Sequence, residues 1–180
     1  MTAAISAAQL IDMGGEDVLV RNLYTGATAP GQGTSRVSAI VAGGSTITLT
    51  SAHAGSQINL DTAAGTTATL PAATGTGNTY KFVVTVLATS NSHVITTNNA
   101  NDYFIGSITS TLAGTPTTNN IWPANAIALD TDTITLNRTT TGSVMLGEWI
   151  TCQDIATNVW LVNGIIAQSG TAATPFTDAV

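Results

Sequence analysis

Residues 45–50, Ser-Thr-Ile-Thr-Leu-Thr, alternate threonine with isoleucine and leucine. Such alternation is typical of a β-strand that buries one face, and the β-branched threonine suits the opposite, exposed face. Gly, Asn, Asp or Pro separate further short runs rich in β-branched residues, which we also predict to be strands. They are residues 56–60, 67–70, 80–86, 93–96, 104–108, 133–136, 149–152 and 159–162.

These runs predict an all-β domain over residues 37–180, an antiparallel β-sandwich with jelly-roll-like topology. Residues 80–88 are apolar on both faces, which places them in the centre of a sheet or at a subunit interface. Residues 113–124 are rich in Gly, Pro and Asn and are predicted to be the longest loop.

Residues 1–36 are predicted to form an N-terminal extended arm. Residues 2–12 fit a short helix that ends before Gly14 and Gly15, residues 18–24 fit an extended segment, and residues 25–35 look like a linker. An arm of this size cannot bury its own apolar side chains. The candidate contact residues are Ile5, Leu10, Ile11, Val18, Leu19, Val20, Leu23 and Tyr24. The alternative is that the arm folds back as an extra strand of its own sandwich.

Charge is scarce along the whole chain of 180 residues, because only 8% of them are charged and the net charge is -6. An ordinary domain is about a quarter charged. The four basic residues, Arg21, Arg36, Lys81 and Arg138, are scattered, which argues against nucleic acid as a partner. No apolar stretch reaches membrane-spanning length, and no secretory signal is expected. The composition favours a building block of an assembly that works through surface shape.

The residues that usually carry catalysis or bind metals form no recognisable pattern. The single cysteine, Cys152, lies in an apolar run and is predicted to be buried. His53 and His93 lack metal-ligand spacing and are expected at turns or on the surface. Asp61 and Asp102 fall at predicted turns. We therefore expect no catalytic residue, metal or cofactor, and no enzyme.

Several segments resemble virion proteins of tailed bacteriophages. Residues 47–61 (ITLTSAHAGSQINLD), residues 65–77 (GTTATLPAATGTG) and the apolar strand 80–86 follow one another as they do in a module of those proteins. The stretch from Gly147 to Trp160 and the tail GTAATPF at 170–176 are similar to the C-terminal part of the same proteins.

The resemblance implies a head decoration or cement protein, or a fibre component, that assembles as a homotrimer. A cement protein would bind the major capsid protein of the same virion, with no nucleic acid or membrane partner, and staple neighbouring capsomers. It would be located at the capsid surface after synthesis in the host cytoplasm. Several arms on one oligomer would raise avidity by a factor on the order of 100 to 10,000.

Two other functions stay open at this point. A head-fibre or tail-fibre receptor-binding module would contact host-surface carbohydrate, with Asn119, Asn120 and Trp122 as the candidate residues. A capsule hydrolase would instead need acids to converge in one cleft. The candidates for that role are Asp102, Asp130, Asp132 and Glu148.

Overall fold

The computed structural model describes residues 39–114, 119–124 and 131–179. The chain divides into two units, Met1–Thr34 and Ser35–Val180, and every described residue belongs to the second. The predicted arm, with its eight candidate contact residues, lies outside the described residues. The boundary at residue 36 therefore stays a prediction.

The second unit is an all-β sandwich of two sheets, as predicted. A single-turn 3-10 helix, Ser51–His53, lies between the second and third strands. The strands are β1 Ile40–Ala42, β2 Thr46–Thr48, β3 Gln57–Leu60, β4 Thr67–Thr69, β5 Thr79–Val84, β6 His93–Thr96, β7 Tyr103–Leu112, β8 Asn119–Pro123, β9 Thr133–Leu136, β10 Trp149–Ala156, β11 Val159–Gln168 and β12 Phe176–Thr177.

The expected jelly-roll-like topology is not confirmed, and the sheets are mixed where antiparallel pairing was predicted. One sheet has seven strands in the order β1-β3-β5-β10-β11-β7-β8, and the other has five in the order β12-β9-β6-β4-β2. Half of the ten pairs among the described strands are antiparallel, and the other five are parallel.

Four of the five parallel pairs arise because the chain changes sheet at every step from β1 to β6. Odd-numbered strands enter the seven-stranded sheet and even-numbered strands the five-stranded sheet, so two strands make one turn of a flattened coil. A chain that crosses over and returns lays each strand parallel to the strand two before it. Later in the chain, β7 and β11 form the fifth parallel pair, and the antiparallel pairs are β5–β10, β6–β9, β7–β8, β9–β12 and β10–β11.

The core lies between the two sheets. Each strand turns alternate residues inward, as in β5, where Tyr80, Phe82 and Val84 are buried and the residues between them are not. Trp160 of β11 is fully buried and meets Tyr80 edge-on, with ring centroids 5.8 Å apart.

Residues 119–123, predicted to lie in a loop, form the edge strand β8. This prediction was wrong because Asn and Pro are rare in strands, whereas at a sheet edge Pro123 needs no inward N–H partner. β8 pairs with β7 from Thr111 to Ser107.

Candidate functional site

The buried carboxylates of the described residues bind the chain's own backbone. The described ranges contain eight formally charged side chains, and four of these are buried acids with at most 5% of their surface exposed. Asp102 accepts a hydrogen bond from the Ala73 N–H, and Asp132 accepts one from the Ala179 N–H. Each of the buried acids therefore fixes a neighbouring loop or tail.

Asp154 holds the turn after β4. One carboxylate oxygen accepts from the backbone N–H groups of Thr74 and Gly75 at 3.0 and 2.6 Å. The other accepts from the Thr76 N–H at 2.9 Å and the Thr76 hydroxyl at 2.7 Å. Burial alone would raise the pKa of Asp154, but these hydrogen bonds outweigh it and hold the pKa below its usual value.

Glu148 holds the loop before β10 in the same way. Its carboxylate accepts from the backbone N–H groups of Ser143, Val144 and Met145 at 2.6 to 2.7 Å. Desolvation by burial raises the pKa of Glu148 despite these bonds. We call such a set of bonds from one buried carboxylate to successive backbone N–H groups a bracket. In the loop held by the Glu148 bracket, Met145 is 51% and Leu146 64% exposed to solvent.

His93 is fully buried in β6, so its predicted turn or surface position was wrong. Its Nδ1 accepts from the Thr66 N–H at 3.0 Å, and its Nε2 donates to the Val86 carbonyl at 2.8 Å. Acceptance at Nδ1 requires a neutral ring. Desolvation lowers the pKa of His93, although the bond to Val86 and the charge of Asp61 oppose that shift.

The other two reactive side chains also have structural positions. His53 accepts from the Thr50 N–H at the 3-10 turn, as its predicted turn position requires. Cys152 is buried as predicted, and burial raises the pKa of its thiol. Within the described ranges, no three His, Cys, Asp or Glu side chains are grouped so that they could hold a metal ion.

Three of the four acids proposed for a hydrolase are described, and each is held by a different contact. Asp102, Asp132 and Glu148 bind separate backbone segments, and Asp130 lies outside the described residues. These contacts give no cleft in which the acids converge.

The predicted carbohydrate contacts lie on β8. Asn120 and Trp122 point inward, where the Asn120 amide donates to Gln168 at 2.8 Å and the Trp122 indole N–H donates to Ser110 at 2.7 Å. Ser110 in turn bonds Gln168. Asn119 is exposed on the opposite side of the strand. The Asn120 amide nitrogen and the Trp122 indole N–H therefore already have partners within the chain, and contact of these residues with sugars stays a prediction.

A cleft of about 400 Å³ opens where β2, β4 and β6 end. Uncharged side chains such as Thr48, Asn78 and Asn98 line it, and Trp160 lies at its buried side. The Trp160 Nε1 is buried, and the described residues offer it no hydrogen-bond acceptor. Among the described residues that line the cleft, Asp154 alone is charged, and its oxygens already accept bonds from the turn at residues 74–76, so these residues offer no free group for an ionic ligand.

The two outer faces of the sandwich differ in chemistry. On the five-stranded sheet, each strand contributes a threonine to one row of paired positions that runs across the sheet. It consists of Thr48, Thr69, Thr96, Thr133 and Thr177. Thr48 and Thr177 are exposed, Thr69 and Thr96 are half-buried, and Thr133 is buried with its hydroxyl bonded to Thr96 and Asp132. Threonine suits the outer positions of such a strand because β-branching is well accommodated there.

The outer face of the seven-stranded sheet carries large apolar side chains. Paired positions place four apolar residues and one threonine side by side on five adjacent strands, and we call the set the outer apolar row. It consists of Val83, Trp149, Ile165, Thr109 and Ile121. Ile165 is 49% exposed and Ile121 70% exposed. The row was not predicted, although the adjacent apolar pair at residues 165–166 is a signal for a strand apolar on both faces.

Among the described residues, no helix is long and apolar enough to span a membrane. Comparisons with protein-family models, with curated proteins and with solved structures found no match to this chain.

Proposed function

We propose that this protein is a structural component of a tailed-bacteriophage virion, a decoration or cement protein that binds the outside of the head and staples neighbouring capsomers. It acts there as a homotrimer on the major capsid protein. It needs no cofactor, catalyses no reaction and contacts neither nucleic acid nor membrane. Its location is the capsid surface, after synthesis in the host cytoplasm.

The observation that carries this proposal is where the chain's few charges lie. Asp102, Asp132, Glu148 and Asp154 are each less than 6% exposed and bind backbone N–H groups. The described surface therefore carries few charges, and hydrogen bonds from the buried carboxylates hold its loops in place. A stiff, nearly neutral sandwich suits binding through shape and apolar contact better than recognition of an ionic substrate.

The sequence resemblance to phage virion proteins supports the choice of partner. In this proposal the segment before residue 37 contacts the shell through Ile5, Leu10, Ile11, Val18, Leu19, Val20, Leu23 and Tyr24. A trimer carries three such segments, and linking three weak contacts makes the second and third intramolecular.

Cosedimentation with undecorated heads of the virus that encodes the chain tests the proposal. We expect saturable binding of the full chain and loss of binding when Leu19 and Leu23 are both replaced by Asp. Thr25→Asp, a single charge in the same segment, is the control and should leave binding in place. Absence of saturable binding by the unchanged protein would contradict the proposal.

The rival function, a fibre module that binds host carbohydrate, has a separate test. It requires the exposed end of β8 to bind host polysaccharide, with weaker binding in Asn119→Ala. Specific glycan binding together with no binding to heads would favour the rival.

A further inference from the structure

We infer that the outer face of the seven-stranded sheet, centred on the outer apolar row, is the surface through which copies of this chain associate. The inference rests on the proposed function, because it supplies the assembly that joins several shell-binding segments. It names the surface and the residues, which the resemblance to phage proteins does not.

Exposed large apolar side chains belong to the seven-stranded sheet or to the loop that leads into it. Among the described residues they are six: four isoleucines in strands of the seven-stranded sheet, and Met145 and Leu146 in the loop that leads into β10 of that sheet. The isoleucines are Ile40, Ile121, Ile155 and Ile165. The five-stranded sheet has none among its described residues. A distribution this uneven between the two sheets marks an interface.

The face is large enough for a specific contact between copies. The seven strands contain 46 residues, each of which covers about 3.3 Å along its strand and about 4.8 Å across the sheet. The face therefore covers about 730 Å², close to the roughly 800 Å² that each partner buries in a standard interface.

The charges on this face favour a second copy over a charged partner. The seven strands contain two charged residues, Lys81 and Asp154, and Asp154 is buried. Lys81 lies over the Trp149 ring, 5.6 Å from its centroid, at the margin of the outer apolar row. A chain of net charge -6 thus presents a face without an exposed carboxylate in its strands, so two copies can meet there with little repulsion.

In the homotrimer, packing of this face of each copy against neighbouring copies would bury the half-exposed side chains. Stacked sheets lie about 10 Å apart, with the side chains of both filling the space. Ile165 is central because its strand, β11, lies between β10 and β7, and Trp149 is its paired neighbour. A charge at position 165 would be buried without a partner in the assembly, yet it would stay hydrated in a single copy.

Sedimentation equilibrium of the full chain tests the inference. We expect the unchanged protein to form a defined oligomer at micromolar concentration, and Ile165→Lys to raise its dissociation constant by about 100-fold, toward the 18.2 kDa monomer. Thr69→Lys adds the same charge to the outer face of the five-stranded sheet and should leave the mass unchanged. Ile165→Ser is a second, milder variant, in case Ile165→Lys fails to give the strand circular dichroism spectrum of the unchanged protein.

A monomeric unchanged protein would overturn the inference and leave the face to the segment before residue 39 or to another protein. So would an oligomer that Ile165→Lys and Ile165→Ser leave as intact as Thr69→Lys does. Neither result depends on heads being present. Failure of self-association is therefore distinguishable from failure of shell binding.

Discussion

Replacing Asp154 by Asn tests the idea that carboxylates serve as internal brackets. The amide keeps one oxygen acceptor for the Thr74 and Gly75 N–H groups, 3.0 and 2.6 Å from that position. It replaces the other oxygen by an NH₂ group that faces the Thr76 N–H and hydroxyl, now 2.9 and 2.7 Å from their acceptor. The two bonds from Thr76 to a charged oxygen are lost, and the Thr76 N–H now faces a second donor.

The size of the effect follows from those contacts. A hydrogen bond to a charged group contributes about 1.5 to 3 kcal/mol, and two are removed. Thr74, Gly75 and Thr76 are exposed, so water can replace part of the loss. We therefore expect Asp154→Asn to lower the free energy of unfolding by about 2 to 4 kcal/mol. Urea titration followed by tryptophan fluorescence at pH 7 and constant protein concentration measures it.

The pH dependence has a definite sign. The pKa of Asp154 is lower in the folded protein than in the unfolded chain, so its stabilisation is complete above the unfolded value, about 3.9, and is lost as pH falls through the folded value. The two proteins should converge in stability at that acidic end. Asp178→Asn, the same charge change at an exposed position, should cost less than about 0.5 kcal/mol. If Asp154→Asn and Asp178→Asn lowered the free energy of unfolding equally at pH 7, the stabilising role of the Asp154 bracket would be refuted.

Three further outcomes are expected. Because the pKa of His93 is lowered by burial, stability should be full above about pH 6.5 and decline below it, and His93→Gln should flatten that slope in urea titrations. Glu148→Ala should lower the free energy of unfolding by about 2 to 4 kcal/mol, which a thermal melt would show. It should also make the loop after Ser143 cleavable by chymotrypsin in a timed digest. A loop that stays uncut would count against the Glu148 bracket. Gly106→Ala should destabilise by more than about 3 kcal/mol, since φ is +105° and the new Cβ would collide with the Val162 carbonyl, whereas Gly44→Ala, at φ +60° in open space, should cost about 1 kcal/mol in calorimetry.

The strands were largely predictable because a half-buried strand imposes its period on the sequence. Each predicted run overlaps a strand, from Thr46–Thr48 to Val159–Gln168. The edge strand Asn119–Pro123 was missed because its residues have low strand propensity and its pairing with β7 depends on the neighbouring strand. The parallel pairs were missed as well, because all pairs were predicted to be antiparallel. Connections that close a hairpin and connections that cross to the other sheet have similar amino-acid composition, so the sequence does not distinguish them.

The brackets could have been found from strand phase. Asp154 is in phase with the apolar residues Ile150 and Cys152, and His93 is in phase with Ile95, so each shares the buried face of its strand. The alternation of buried and exposed positions along a strand does not identify the partner of each polar group. The turn at residues 74–76, for example, contacts Asp154 only in the folded chain. The outer apolar row likewise exists only once the strand order is known.

The most direct test of the proposed function is the melting temperature of undecorated heads with and without saturating amounts of this protein. We predict that the protein raises the melting temperature of the shell, that the rise saturates with occupancy, and that the Leu19→Asp, Leu23→Asp double variant abolishes it. An unchanged melting temperature at full occupancy, or no occupancy at all, would contradict a cementing function.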